Sequence, residues 1–151
     1  MKTLLLKVFG LPTGIINFFH MKRKRVSYGE GLHINGRIHF HGSGTFIIGN
    51  QVTIQSAPNV NPCAGGYETH IQCDKNAILK IGDRVGISHC AITAANSVII
   101  EDDVLIGSNC MITDTDFHSV EFESRSSKND DMVKTSPVVI KKGAFIGGEQ
   151  S

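Results

Sequence analysis

One histidine of this 151-residue chain lies among side chains suited to proton transfer. His118 ends the run ITDTDFH and follows two carboxylates, Asp114 and Asp116. An imidazole can accept and return a proton near neutral pH because its unperturbed pKa is about 6.5. A neighbouring carboxylate could orient the imidazole or contact a substrate, and the pattern does not rank the two aspartates. His118 is therefore the candidate general base, with Asp114 and Asp116 as candidate substrate contacts.

Other polar residues nearby are candidates for the same site. Ser88 and His89 lie about one turn of the repeat described below before the segment of His118, so they could face the same cleft. Arg125 could bind a phosphate or a sugar acid, although a solvated surface charge is the more common situation. We include all three as candidate substrate-binding residues.

The element that must position these residues is a repeat of six. Aliphatic or β-branched residues begin successive blocks at Ile81, Ile87, Thr93, Ile100, Ile106 and Ile112. Small or β-branched residues follow four places later, at Val85, Ala91, Val104 and Cys110. A period of six fits neither an α-helix nor a lone strand, and it is typical of a parallel β-helix. Both positions are expected to face inward, with three blocks, roughly eighteen residues, in each coil.

The repeat is interrupted after Phe117 and resumes at Ile140. Residues 118–139, twenty-two in all, therefore form a loop that His118 opens. Loops longer than about 12–15 residues without structure of their own are usually functional or disordered. We expect the chain to rejoin the repeat at Val138.

An earlier part of the chain is less regular. Residues 61–77 contain Pro62, Gly65 and Gly66 and are predicted to form a loop or a distorted coil, with no assigned role. Before them come the histidines His33, His39 and His41, of which the first two share a repeat phase and are expected to stack on one outer face. Stacked polar residues are ordinary on such a surface, so no metal site is assigned.

The hexapeptide repeat, the ITDTDFHS run and the long loop together resemble the hexapeptide-repeat acyltransferases. Within that family the chain is most similar to sugar O-acetyltransferases of the maltose, galactoside and capsular-polysaccharide types. The resemblance implies an all-β fold, a left-handed parallel β-helix with a short N-terminal helix and one long extruded loop. It implies acetyl-CoA as the acyl donor, a sugar or glycan hydroxyl as the acceptor, and His118 as the general base. It also implies a homotrimer in which each active site lies between two subunits.

The resemblance places the donor on coils that follow the loop. Phe145, Gly147 and Gly148 match the first of those positions, with Phe145 where the family commonly has Trp. Ala94–Ala95 stand about where a carboxylate contacts the acceptor in sugar acetyltransferases, which indicates an acceptor that could differ from a simple hexose. The family typically continues with further coils, so domain 26–151 is expected to lack its C-terminal coils.

Two alternatives from other classes follow from the same residues. A chain with missing coils could be a catalytically incompetent β-helix fragment that acts at most as a binding or assembly module. A γ-type carbonic anhydrase needs three zinc histidines, two of them in an HxxxxH pair. The residue five places after His118 is Glu123, so this second alternative is set aside.

Charge and cysteine content limit the partners and the compartment. The chain has 15 basic and 14 acidic residues, and this balance gives no support for nucleic-acid binding. Its four cysteines form no CxxC pair, and Cys110 falls on an inward position, where a buried thiol behaves as an apolar group. A reducing compartment, the cytoplasm, is the simplest interpretation.

The N-terminal segment, residues 1–25, is an amphipathic region with two interpretations. Its uncharged run Val8–Met21 is shorter than the roughly 18–20 apolar residues that cross a bilayer. Four bases follow, Lys22–Arg25. The segment is predicted to be a packing helix with a solvated basic turn, or else a peripheral anchor that holds the protein at the inner face of the membrane.

Overall fold

The computed structural model describes residues 12–58, 61, 66–126 and 132–148, which form three parallel sheets and two helices. The first sheet contains β1 (Ser27–Tyr28), β4 (Thr45–Ile48), β7 (Ile78–Ile81), β10 (Ser97–Ile100) and β13 (Val138–Ile140). The second contains β2 (His33–Gly36), β5 (Thr53–Ser56), β8 (Gly86–Ser88), β11 (Leu105–Ile106) and β14 (Phe145–Ile146). The third contains β3 (Ile38–Gly42), β6 (Thr69–Cys73), β9 (Ala91–Ala94) and β12 (Met111–Thr113). The helices are α1 (Thr13–Arg23) and α2 (Phe122–Ser126).

The chain passes through the three sheets in turn, and one such passage is called a coil below. Each strand pairs in parallel with strands of the preceding and following coils. Four coils are complete, and β13 and β14 begin a fifth. Ile81 pairs with Ile100, 19 residues later, and Ile71 pairs with Ile92, 21 residues later. The prediction of an all-β parallel fold is confirmed, while the coils are slightly longer than eighteen residues.

The interior is filled by the alternate residues of every strand, because successive side chains of a strand point to opposite faces. Its aliphatic members are almost fully buried, among them Ile54, Ile71, Leu79, Ile81, Ile92, Val98, Ile100 and Val104. Burial of one such side chain contributes about 1.5–3 kcal/mol. The stacked interior therefore supplies most of the stability and holds the outer surface in a fixed register.

The predicted inward positions are correct except at Cys110, which is half-buried, and in the third coil. There Cys90 and Ile92 are buried, whereas Ala91 is exposed and Thr93 is half-buried. The reason is a corner between the second and third sheets that is one residue shorter than the same corner of the next coil. The spacing from Ile87 to the next inward isoleucine is therefore five residues instead of six.

The corner between the first and second sheets is held by a ladder of side-chain oxygens. Asp83 Oδ1 accepts the backbone N–H of Asn50 (2.7 Å), and Asp102 Oδ1 accepts that of Asp83 (2.9 Å). At this corner, each of the two aspartates thus accepts a hydrogen bond from a backbone N–H of the preceding coil. A Cβ atom at Gly82 would lie 2.5 Å from Asp102 Oδ1. The glycine of the IGD sequence therefore leaves room for the aspartate of the next coil.

Helix α1 covers the edge strands of the first coil. The side chain of Asn17 donates to the Gly36 carbonyl (2.9 Å), and the N–H of Phe40 donates to His20 Nε2 (2.9 Å). Met21 is buried beneath the helix. Helix α1 therefore packs against the first coil, while its outer face exposes Ile15, Phe18 and Phe19. Neither helix in the described ranges has the length and apolar character needed to cross a bilayer.

Three further expectations from the sequence require correction. Residues 69–73, placed in a loop above, form β6, while Pro62 and Gly65 of the predicted loop lie outside the described residues. His33 lies on β2 of the second sheet and His39 on β3 of the third, so the two do not share a face. Residues six apart lie on successive sheets, because one block of six residues forms one of the three sides of a coil. Cys110 is half-buried rather than buried.

Candidate functional site

The long loop between β12 and β13 is closed at its base. Thr115 pairs antiparallel with Thr135, and the N–H of Ser136 donates to the carbonyl of Asp114 (2.9 Å). The chain then re-enters the first sheet at Val138, as expected, where β13 pairs with β10. The excursion therefore begins and ends at one fixed point of the molecule.

His118 lies just beyond this closed base and is exposed. Its backbone N–H donates to the carbonyl of Asp116 (2.7 Å), and Phe117 between them has a left-handed φ of 60°. The exposed imidazole that follows this tight turn is accessible to a substrate. Asp116 is also exposed and precedes the histidine by two residues.

Asp114 differs from Asp116 in being almost buried, with 4% of its surface exposed. Its carboxylate accepts the backbone N–H groups of Ala95 (2.6 Å), Asn96 (2.7 Å) and Ser97 (2.6 Å). These three residues form the corner of the preceding coil. The carboxylate therefore stabilises that corner, and Asp116 is the more accessible of the two aspartates.

A polar cleft of about 610 Å³ lies at the base of the loop. Its lining comprises residues 113–116 on one side and 134–138 on the other. It brings Asp114 and Asp116 together with Lys134, so the cleft carries charges of both signs. Such a lining suits a ligand rich in hydroxyl groups, because carboxylates accept and ammonium groups donate hydrogen bonds.

Ser88 and His89 lie at a different part of the molecule, at the corner between the second and third sheets. The Ser88 hydroxyl lies 3.3 Å from the Ser108 hydroxyl in the next coil. His89 is 2% exposed, and its Nδ1 donates to the carbonyl of Tyr67 (2.5 Å). That bond leaves Nε2 as an acceptor, and within the described residues Nε2 has no hydrogen-bond partner.

A second cleft, of about 340 Å³, lies next to this corner on the outer face of the third sheet. Its lining includes Glu68, His70, His89 and Met111. The cleft therefore joins the buried His89 to polar residues of β6 and of the segment before it.

A cluster of histidines extends from this cleft across β3 and β6. His39 pairs in register with His70, and their rings stack with centroids 4.4 Å apart. His41 Nε2 lies 3.2 Å from His70 Nδ1, and His39 Nε2 contacts the carboxylate of Glu68. Burial lowers the pKa of both His41 and His70, to which the neighbouring histidines add repulsion between positive charges.

Sequence reasoning missed His70 and Glu68 as members of this cluster. The hexapeptide spacing is lost between β5 and β6, so the register between β3 and β6 could not be predicted. The alternation THIQC from Thr69 was the one available signal, because it has the period of a strand.

Arg125 and the predicted donor contacts are distributed over separate regions. Arg125 is exposed, and its guanidinium donates to the carbonyls of Ser119 (3.1 Å) and Val120 (3.2 Å) within the long loop. Phe145 is 73% exposed on β14 of the second sheet. A Cβ atom at Gly147 would meet open space.

Gly148 differs from Gly147 in its surroundings. A Cβ atom there would lie 2.7 Å from the Ser108 carbonyl oxygen of the preceding coil. The lack of a side chain at Gly148 therefore lets the two coils stack closely. The open surface at Gly147 could instead accommodate a ligand.

No protein-family model, curated protein or solved structure matches this chain.

Proposed function

We propose that this chain is the subunit of an acetyl-CoA-dependent O-acetyltransferase built on a left-handed parallel β-helix. The acceptor is a hydroxyl of a sugar or glycan, and His118 is the general base. One observation carries the proposal: a regular stack of parallel coils is interrupted at an exposed histidine, whose loop closes at its base beside a polar cleft.

Acetyl transfer from a thioester to a hydroxyl mainly requires a base next to the attacking hydroxyl. His118 removes the hydroxyl proton while the hydroxyl oxygen attacks the thioester carbonyl. The resulting tetrahedral oxyanion collapses, the carbon–sulfur bond breaks, and the thiolate takes the proton from the imidazolium. The products are the acetyl ester and the free thiol of CoA. Asp116 is the aspartate free to contact the acceptor or to orient the imidazole, because Asp114 is engaged by three backbone donors.

The donor would lie along the second sheet. Phe145 offers an exposed aromatic ring, and the open surface at Gly147 lets an extended pantetheine chain approach the backbone. Small residues are favourable at such positions because a side chain would occupy the space of the ligand.

Assembly and location belong to the same proposal. A homotrimer would bring the long loop of one subunit to the outer face of another and complete the site. Peripheral contact with the inner face of the membrane would use the exposed face of α1, where Ile15, Phe18 and Phe19 precede Lys22 and Arg23.

The test measures formation of CoA and acetylated product by mass spectrometry, with acetyl-CoA and a panel of glycan acceptors. We expect His118→Ala to lower turnover about 10²–10⁴-fold, the usual contribution of a general base. His33→Ala is the matched control, since His33 is an exposed histidine on another sheet. Equal turnover by wild type and His118→Ala would refute the assignment.

Binding of the donor is tested separately by calorimetry with acetyl-CoA. His118→Ala should bind the donor as wild type does, whereas Gly147→Val should weaken binding without loss of the circular dichroism spectrum. A folded wild-type protein that neither binds acetyl-CoA nor turns it over would refute the enzyme proposal and favour a binding or assembly module.

A further inference from the structure

We propose that His39, His41 and His70 bind one divalent transition-metal ion, of the kind that prefers imidazole ligands such as zinc, on the outer face of the third sheet. Each histidine offers one ring nitrogen, and the three nitrogens lie within 4.8 Å of one another. The site is separate from the loop of His118 and does not depend on the proposed acetyltransferase activity.

The spacing of the nitrogens is close to that of a metal site. Zinc–nitrogen bonds of about 2.0–2.1 Å in a tetrahedron place two ligand nitrogens about 3.3 Å apart. His41 Nε2 and His70 Nδ1 are already 3.2 Å apart. Both side chains are exposed, so their rings can turn out of the stacked arrangement and direct their lone pairs at one ion.

Glu68 completes the arrangement. Its carboxylate contacts Nε2 of His39, which leaves Nδ1 of that ring for the metal. A ligating histidine commonly gives its second nitrogen to a carboxylate, which fixes the orientation of the ring and raises its basicity. The carboxylate also adds one negative charge beside the three neutral ligands.

The backbone holds the ligands in a fixed relation. His39 and His41 project from one face of β3, and His70 projects from the paired residue of β6. Inward neighbours such as Phe40 and Ile71 are buried and keep the two strands in register. The paired strands therefore need no rearrangement on binding, and the cost of ordering falls on the side chains alone.

The ion would link the first two coils across the insertion of residues 57–68. On its open side it would face the cleft that His70 shares with Met111. Three protein nitrogens leave a fourth position for water or another ligand. The chemistry of the ligands favours zinc, copper or nickel over magnesium, which prefers oxygen ligands.

The experiment titrates zinc chloride into the tag-free full chain by calorimetry, in a Cys63→Ser, Cys110→Ser background that removes competing thiols. We expect one zinc ion per chain and no binding of magnesium. His70→Ala and His41→Ala should each weaken zinc binding at least 10-fold, and Glu68→Gln should weaken it about 10-fold or more. His33→Ala is the control and should bind as the background does.

A rise in melting temperature with zinc, absent in His70→Ala, is the second readout. Absence of zinc binding to the folded protein would overturn the proposal. So would binding that survives both His41→Ala and His70→Ala, or that falls equally in His33→Ala.

Discussion

Asp114 provides the sharpest test of how the site region is built. Its carboxylate accepts three backbone N–H groups at 2.6–2.7 Å from the corner at residues 95–97, and its side chain is almost buried. Replacement by Ala removes both carboxylate oxygens, so all three backbone donors lose their acceptor. A buried donor left without an acceptor costs about 1–3 kcal/mol, but Asn96 is exposed and water can reach its N–H. We therefore expect Asp114→Ala to lower the free energy of unfolding by about 3–5 kcal/mol.

Asp114→Asn removes the negative charge while keeping nearly the same side-chain shape. The amide keeps one acceptor oxygen but turns an NH₂ group toward backbone donors, so we expect a loss of about 2–3 kcal/mol. Asp116→Asn is the matched control, because Asp116 is exposed and its change should stay within about 0.5 kcal/mol. The assay is urea unfolding followed by circular dichroism. A loss below about 1 kcal/mol for Asp114→Ala would refute the structural role argued from these hydrogen bonds.

Three further predictions concern other parts of the fold. Gly82→Ala should lower stability by about 1–3 kcal/mol in thermal melts, because its Cβ would collide with the aspartate ladder; unchanged stability would contradict the ladder. Burial raises the pKa of the Cys90 thiol to about 12, so at pH 8 a maleimide should label the half-buried Cys110 well before Cys90 in a Cys63→Ser background; mass spectrometry would reveal the reverse order. Burial also lowers the pKa of His20 below its ordinary 6.5, and its Nε2 accepts the N–H of Phe40. As the pH falls below about 6.5 the unfolded chain binds this proton first, so stability should fall in acid until the lowered pKa is reached. Urea midpoints of His20→Ala should show a weaker loss than wild type over that window, and an identical pH profile would contradict the assignment. The charged or titratable groups near this imidazole are Lys24, His39 and His41.

The regular part of the fold could be predicted because one position repeats in every coil. Ile81, Ile100 and Ile106 each pair with an isoleucine of the preceding coil and one of the following coil, so a single periodicity indicates their inward direction. The return of the chain at Val138 could also be predicted, since an aliphatic pair resumes the pattern there. Repetition makes each correct assignment support the next.

The contacts made by single side chains could not be predicted in this way. Asp114 is a candidate ligand by type, and only the stacking of its coil on residues 95–97 turns it into a corner acceptor. His70 was not linked to His39 because an insertion of unknown geometry separates them along the chain. A corner one residue shorter than its neighbour likewise exposed Ala91 and buried Cys90, a difference that composition does not encode.

The two proposed sites are built in the same way at different corners of the coils. Each depends on an insertion that leaves the coil, residues 57–68 after β5 and the loop after β12, while the flanking strands stay paired in register. The paired strands supply rigid positions, such as the stacked His39 and His70, and the insertion supplies residues that the repeat cannot, such as Glu68 and His118. Because the exposed His118 lies outside the buried interior, substitution of His118 should change turnover with little effect on stability. Asp114 is the exception, because its substitution should lower stability. It lies at the base of the loop in the sequence, but its carboxylate is hydrogen-bonded to the corner of the preceding coil.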